Sequence, residues 1–176
     1  FLGSHLLKKL LENTNAKIYC LIRGDGKETA LNRLHEVMSR YFSYFDEQYY
    51  NRIEVINGDI SKEMLGLTQN VYDELHSKID TVINGAALVK HFGNYEDFRN
   101  VNVLGTEELV RFASYNGKKL CHISTTSVSG NYISQFMGTS VFTEKDFYIG
   151  QNFTENVYVR SKFEAENIVF KAMDSG

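Results

Sequence analysis

Four short apolar, β-prone segments alternate with amphipathic helical segments along this chain, and that alternation restricts the fold more than any other feature. The four are KIYCLIR (17–23), RIEVING (52–58), DTVINGAA (80–87) and KKLCHIST (118–125). Short, mostly apolar runs of this kind suit strands covered on both faces. Around them lies helical text. FLGSHLLKKLLEN sets Leu2, Leu6, Leu7, Leu10 and Leu11 at helical period, and KETALNRLHEVMSRYF sets Leu31, Leu34, Met38 and Phe42 on one stripe. NVYDELHS predicts a short helix, and YEDFRNVNVLGTEELVRFASYNG a longer one that its Asn-Gly pair stops. A polar and aromatic loop through about residue 153 leads to a last helix around VYVRSKFEAE (157–166). Helix and strand alternating over short connections predict an α/β fold, a doubly wound parallel sheet with helices on both faces.

Ligands of such sheets bind beyond the carboxyl ends of the strands, so the residues just after each strand carry the functional expectations. Arg23 and Gly24 follow the first segment. In a dinucleotide-binding fold an acid at this position meets a ribose 2′-hydroxyl, whereas an arginine accommodates a 2′-phosphate; a solvated arginine at a strand end is the plain alternative. Asp59, in NGDIS, is either a turn carboxylate or a contact to an adenine edge. Gly85, Ala86 and Ala87 end the third segment with small residues that let a flat cofactor approach the backbone, or that serve close strand-to-helix packing. HISTTSVSG (122–130) ends the fourth in a run of hydroxyls. Thr125 is the best placed of these to hydrogen-bond a substrate oxygen, with Ser124 and Thr126 open as alternatives.

Tyr158 and Lys162 stand at i and i+4 of the last helix and share a face. An ammonium beside a phenol favours the phenolate and makes a tyrosine usable as an acid or base near neutrality. Such pairs also occur as plain helix decoration, so the pair gains meaning only from its surroundings.

The composition narrows the function classes. A net charge of -3 and a pI near 6.0 provide no basic field for nucleic acid or anionic lipid. No apolar run reaches membrane-span length, and no signal-peptide pattern opens the chain. Cys20 and Cys121 lie in strand text and are expected to be buried, reduced thiols of a cytoplasmic protein. Five histidines and two cysteines show no paired metal spacing. GDGKET lacks the spacing of a phosphate loop, and NFT (152–154) is a chance glycosylation match in a chain without secretory signs.

FLGSHLL, GDIS, INGAALVKHFG, VNVLGT, HISTTSVSG and YVRSK occur in an order and spacing that resemble the extended short-chain dehydrogenase/reductase family. Within it the likeness is to thioester reductase domains, which end nonribosomal peptide synthetases and carboxylic acid reductases. The resemblance spans essentially the whole chain and implies a Rossmann-like sheet. It implies Tyr158 as proton donor, Lys162 as its partner and nicotinamide-ribose contact, and Thr125 as the hydroxyl that steadies the oxyanion. Asn102 in VNVLGT matches an asparagine that braces the central helix and the site, with an ordinary helix residue as the alternative. Arg23, and more loosely Arg33, match positions that favour NADPH. Gly3, Asp59, Ile60 and Gly85–Ala87 match contacts to the rest of the cofactor.

The implied activity is NADPH-dependent reduction of an acyl or peptidyl thioester, held on the phosphopantetheine of a carrier protein, to an aldehyde or onward to an alcohol. Neither a metal, nucleic acid nor membrane enters that expectation. A fatty acyl-CoA reductase, a sugar-nucleotide epimerase or dehydratase, and a non-catalytic NADP-sensing protein are the rival readings. Family members open with a strand and a Gly-rich turn, of which only Phe1-Leu2-Gly3 matches here. Residues 1–176 are therefore expected to be an internal part of one NADP-binding domain, with a gap mid-sheet where the first strand would lie and without a substrate domain. Alone, such a fragment is expected to be inactive.

Overall fold

A computed structural model describes residues 1–90, 92–130, 141–143 and 145–175. The helices are α1 (Leu2–Asn13), α2 (Lys27–Tyr41), α3 (Gln69–Lys78), α4 (Tyr95–Phe98), α5 (Gly105–Ser114) and α6 (Val157–Ser175). The strands are β1 (Ile18–Ile22), β2 (Ile53–Asn57), β3 (Thr81–Asn84) and β4 (Lys119–His122). Three 3-10 turns, Glu47–Arg52, Glu63–Gly66 and Thr126–Ser129, were not legible in the periodicity, and a π-helical stretch, Arg99–Leu104, joins α4 to α5. The predicted loop before α6 passes through 131–140 and 144, and the INGAALVKH segment through His91, outside the described residues.

β1 pairs with β2 in parallel, from Ile18 opposite Ile53 to Ile22 opposite Asn57. β3 pairs with β4 in parallel, from Thr81 opposite Lys119 to Asn84 opposite His122. Among the described residues no ladder joins the two pairs.

Strand alternation shows how helices cover both faces of β1 and β2. Ile18, Cys20, Ile22 and Ile53 turn toward a core of Leu7 and Leu11 from α1, Ala30, Leu34 and Met38 from α2, and Val55. Tyr19, Leu21 and Ile56 turn to the opposite core of Leu65, Leu75, Leu109 and Phe112, which also receives Val82 of β3. This second core bridges the two strand pairs. The first does not extend under β3 and β4, where Thr81, Ile83, Lys119 and Cys121 are exposed. Cys121 therefore departs from the expectation of a buried thiol. Cys20 is sheltered, and burial pushes its thiol up to about 11. Leu31 also lies outside its expected stripe, 37% exposed, because Ala30 takes the α2 position that faces the strands.

Chain reversals near the strand ends have identifiable causes. A Cβ at Gly58 would lie 2.5 Å from Leu21 Cδ1 and 2.7 Å from Leu65 O, so only glycine lets the chain leave β2 this close to its neighbours. The predicted Asn-Gly stop is real: Asn116 and Gly117 adopt φ 67° and 60°, and Lys118 N–H returns to Ala113 O at 3.0 Å. Arg52 holds the α1–β1 connection by donating to Leu11 O at 2.9 Å, Thr14 O at 2.6 Å and Ala16 O at 3.0 Å.

Candidate functional site

The helix carrying Tyr158 and Lys162 begins where it does because Asn156 caps it. The Asn156 Oδ1 accepts from the N–H groups of Tyr158 at 2.9 Å and Val159 at 3.2 Å. Behind the cap, Phe163 stacks on Phe153 at 3.8 Å and on Phe147 at 4.5 Å, which fastens the preceding loop to α6. The buried Gln151 amide fixes the same loop by donating to Val128 O at 3.2 Å and Phe147 O at 2.7 Å. On its other side α6 packs on α4, the π stretch and α5. Tyr95 meets it there, bonded to Glu164 and covered by the Arg160 guanidinium at 3.8 Å.

Lys162 is 3% exposed, and its Nζ donates to Ile123 O at 2.8 Å. That bond anchors the ammonium at the exit of β4, two residues before Thr125. Burial pulls the Lys162 amine below its ordinary pKa, and the carboxylate of Glu166, one helical turn on, partly opposes it. Burial in turn pushes Glu166 up, while Ser124 and Lys162 hold it down. Thr125 Oγ1 accepts from Ser127 N–H at 3.3 Å, a bond that leaves the hydroxyl hydrogen free of that duty. Tyr158 is half-buried on the same face of α6 as Lys162.

Asn102 is the brace rather than a group offered to a ligand. Its Oδ1 accepts from Leu88 N–H at 2.7 Å, while Nδ2 donates to Leu88 O at 3.0 Å and Ser161 Oγ at 2.8 Å. With 2% exposure and both ends of its amide bonded, it has the geometry of the brace that the resemblance implies. Ser161, fully buried between Lys162 and Arg160, passes the connection on to Tyr158 O at 2.8 Å.

The positions expected to meet the rest of a dinucleotide lie at the strand ends. Arg23 and Arg33 come together beyond β1: Arg33 Nη1 donates to Arg23 O at 2.9 Å, and both side chains are exposed. Gly24 N–H donates to Asn57 Oδ1 at 3.0 Å, tying the β1 exit to the β2 exit. Asp59 accepts from Ser61 N–H at 3.0 Å and Ser61 Oγ at 2.7 Å, the turn role. Burial raises its carboxyl, but the Ser61 bonds and the charges of Arg23 and Lys62 outweigh it and leave the pKa below the ordinary value. Ile60 packs into the second core and fills the space left by Gly105, where a Cβ would stand 2.9 Å from Ile60 Cδ1. Gly85 and Ala86 are exposed after β3, and Gly3 sits in the first turn of α1 with nothing within 4 Å of where a Cβ would stand.

Three site residues escaped the sequence reading. Asn84, His122 and Ser161 sit inside the motifs INGAA, HIST and YVRSK, but each acquires a partner only from a distant part of the chain.

The NAD-binding family model described as male sterility protein matches residues 1–176. The chain belongs to this family. It is similar to a linear gramicidin synthase of Brevibacillus parabrevis, 34% identical over the whole chain and 3% of that protein. It also matches the solved terminal R domain of the myxalamid PKS-NRPS pathway, with a TM-score of 0.87, 33% identity, and coverage of 100% of this chain and 43% of that one. A thiolation-reductase di-domain from an archaeal nonribosomal peptide synthetase matches with a TM-score of 0.83 and 34% identity, over 99% of this chain and 37% of that one. The chain is thus a member of the extended short-chain dehydrogenase/reductase family, similar to its thioester reductase domains, and spans less than half of each of these relatives. No helix among the described residues is long and apolar enough to cross a membrane.

Proposed function

We propose that this chain is the cofactor-binding core of an NADPH-dependent reductase that releases an acyl or peptidyl group from a carrier protein's phosphopantetheine thioester as an aldehyde. The observation that carries the reading is the Lys162 amine, buried on the Tyr158 face of α6 and held to Ile123 O at 2.8 Å beside Thr125. One carbonyl bond leaves an ammonium two further hydrogens, which suits contact with a ribose hydroxyl and with the phenol. Exposed small residues at Gly85–Ala86 and two guanidinium groups beyond β1 fit a flat dinucleotide with a 2′-phosphate.

When bound, the nicotinamide supplies a hydride. As the new C–H bond forms at the thioester carbonyl, the carbonyl π pair moves to oxygen. Tyr158 protonates that oxygen, and the Thr125 hydroxyl donates to it while charge develops. Lys162 holds the ribose and keeps a positive charge beside the phenol. The resulting hemithioacetal then loses its C–S bond to give the aldehyde and the free pantetheine thiol. In the archaeal relative this fold is joined to a thiolation domain, which supports a carrier domain as the partner.

The test is turnover of the full-length protein with NADPH or NADH against a carrier-bound acyl thioester and its CoA counterpart. Aldehyde formation with NADPH and the carrier-bound substrate is expected. Reduction of CoA thioesters alone would replace this reading with an acyl-CoA reductase.

A further inference from the structure

A line of polar groups runs from the π stretch through β3 and β4 to the amine of Lys162, and it settles which nitrogen of His122 bears hydrogen. Thr106 Oγ1 donates its one hydrogen to Asn102 O at 2.7 Å. Toward Asn84, 3.3 Å away, it can offer only lone pairs, so Asn84 turns its Nδ2 there. The opposite end of the amide agrees, because Asn84 Oδ1 accepts from Ala86 N–H at 3.3 Å. The same Nδ2 lies 3.1 Å from His122 Nδ1, which must therefore accept. A neutral imidazole that accepts at Nδ1 carries its hydrogen on Nε2. Nε2 is the nitrogen 3.5 Å from Lys162 Nζ. The imidazole is neutral because burial, and after it the Lys162 charge, pushes its pKa down to about 4.

We propose that His122 is a positioning residue for Lys162, held by Asn84 in the tautomer that presents an N–H rather than a lone pair to the lysine amine. A lone pair at this place would accept a hydrogen of the ammonium and hold the side chain against β4. An N–H repels it instead. The ammonium keeps its bond to Ile123 O, and its other hydrogens are left for Tyr158 and a ribose hydroxyl. The other titratable groups facing Lys162 are Tyr158 and Glu166, one turn away on either side along α6. Arg160 and Glu164 on the same helix are engaged with Tyr95, and Arg99 of the π stretch also acts on Tyr95. The proposal rests on the Tyr158–Lys162 site and adds the reason its lysine is not captured by the nearest imidazole.

Nitrogen-15 NMR of the full-length protein, labelled at histidine and lysine, tests it without any turnover. At neutral pH the His122 signals, assigned by their loss in His122→Phe, should show hydrogen on Nε2 and a bare Nδ1. The reverse pattern overturns the proposal. Asn84→Asp should flip the tautomer, because a carboxylate accepts from Nδ1–H, and should move the Lys162 amine titration up by about one unit or more. His122→Phe, which removes the N–H without adding charge, should move it in the same direction and shift the matching limb of the kcat/KM pH profile. A Lys162 titration unmoved in His122→Phe overturns the positioning role whatever the tautomer. Because the NMR signals need no substrate, a protein that reduces no thioester would still answer the question about His122.

Discussion

Asn102 Nδ2 donates to Ser161 Oγ at 2.8 Å, and through this bond a π-helical turn is tied to the helix that carries Tyr158 and Lys162. The π register matters here. Gly105 N–H reaches back five residues to Asn100 O, and the widened turn lets Asn102 serve both Leu88 and α6. The loop after β3, where Gly85–Ala87 lie, and the helix that carries Tyr158 and Lys162 are thereby held by one side chain.

Asn102→Leu should destabilise the protein by about 2–4 kcal/mol, since it strands the half-buried N–H and C=O of Leu88 and a partner of the buried Ser161. Urea unfolding at pH 7 measures it. A midpoint equal to that of the unsubstituted protein would show that the brace is dispensable.

Tyr158→Phe is expected to lower reduction by about 10²–10⁴-fold with NADPH affinity changed only a few-fold, because the phenol serves the transition state and most binding contacts lie elsewhere. Lys162→Ala should damage both turnover and cofactor affinity. Steady-state kinetics with a separate binding titration distinguish the two, and a Tyr158→Phe rate within roughly tenfold of the original removes Tyr158 from the acid role.

Arg23→Ala should weaken NADPH by about tenfold or more and leave NADH nearly unchanged, since only the phosphorylated cofactor loses a charge-assisted bond. Arg33, bonded to Arg23 O at 2.9 Å, is expected to give a smaller effect of the same sign. Equal losses for both cofactors in a fluorescence titration would contradict the assignment.

His122 makes stability depend on pH in a defined direction. Its folded pKa is lowered from 6.5 to about 4, first by burial and then by Lys162. Between those values the unfolded chain binds the proton more readily than the folded one. The contribution is therefore fully present above pH 6.5 and is lost as pH falls toward 4. Allowing for solvent screening of a partly accessible ring, it amounts to roughly 1–2 kcal/mol. His122→Gln should flatten the unfolding free energy between pH 6.5 and 4.5 relative to the original protein, and parallel profiles for the two would refute the assignment.

The elements themselves were readable from the order of residues because their signals are local. The apolar period of α1, the four β-prone runs, the Asn116–Gly117 stop and the Tyr158–Lys162 spacing each depend on residues within a turn or two of one another. Strand ends shortened, with β3 closing at Asn84 and β4 at His122, since pairing stops where the partner strand stops. The 3-10 turns stayed hidden because they are too short to set up a period. Glu63–Gly66 even places Met64 and Leu65 at φ 52° and 60°, a conformation that neither side chain announces.

What the order of residues determined by itself was an α/β chain with candidate site residues after each strand and a tyrosine and lysine on one helical face. What only the tertiary structure decided was which polar residues are spent and which remain available. In INGAA, VNVLGT and HIST an asparagine or histidine reads alike whether it meets a ligand, water or another side chain. Asn102 and Ser161 are 59 positions apart, Asn84 and His122 38, and His122 and Lys162 40. Parallel strands joined by helices bring such residues together only after the whole crossover has folded. The same long-range packing left one face of β3 and β4 open and so exposed Cys121, which no local pattern distinguishes from the sheltered Cys20. Hydrogen bonds and burial belong to pairs of distant segments, and a one-dimensional pattern records only one member of each pair.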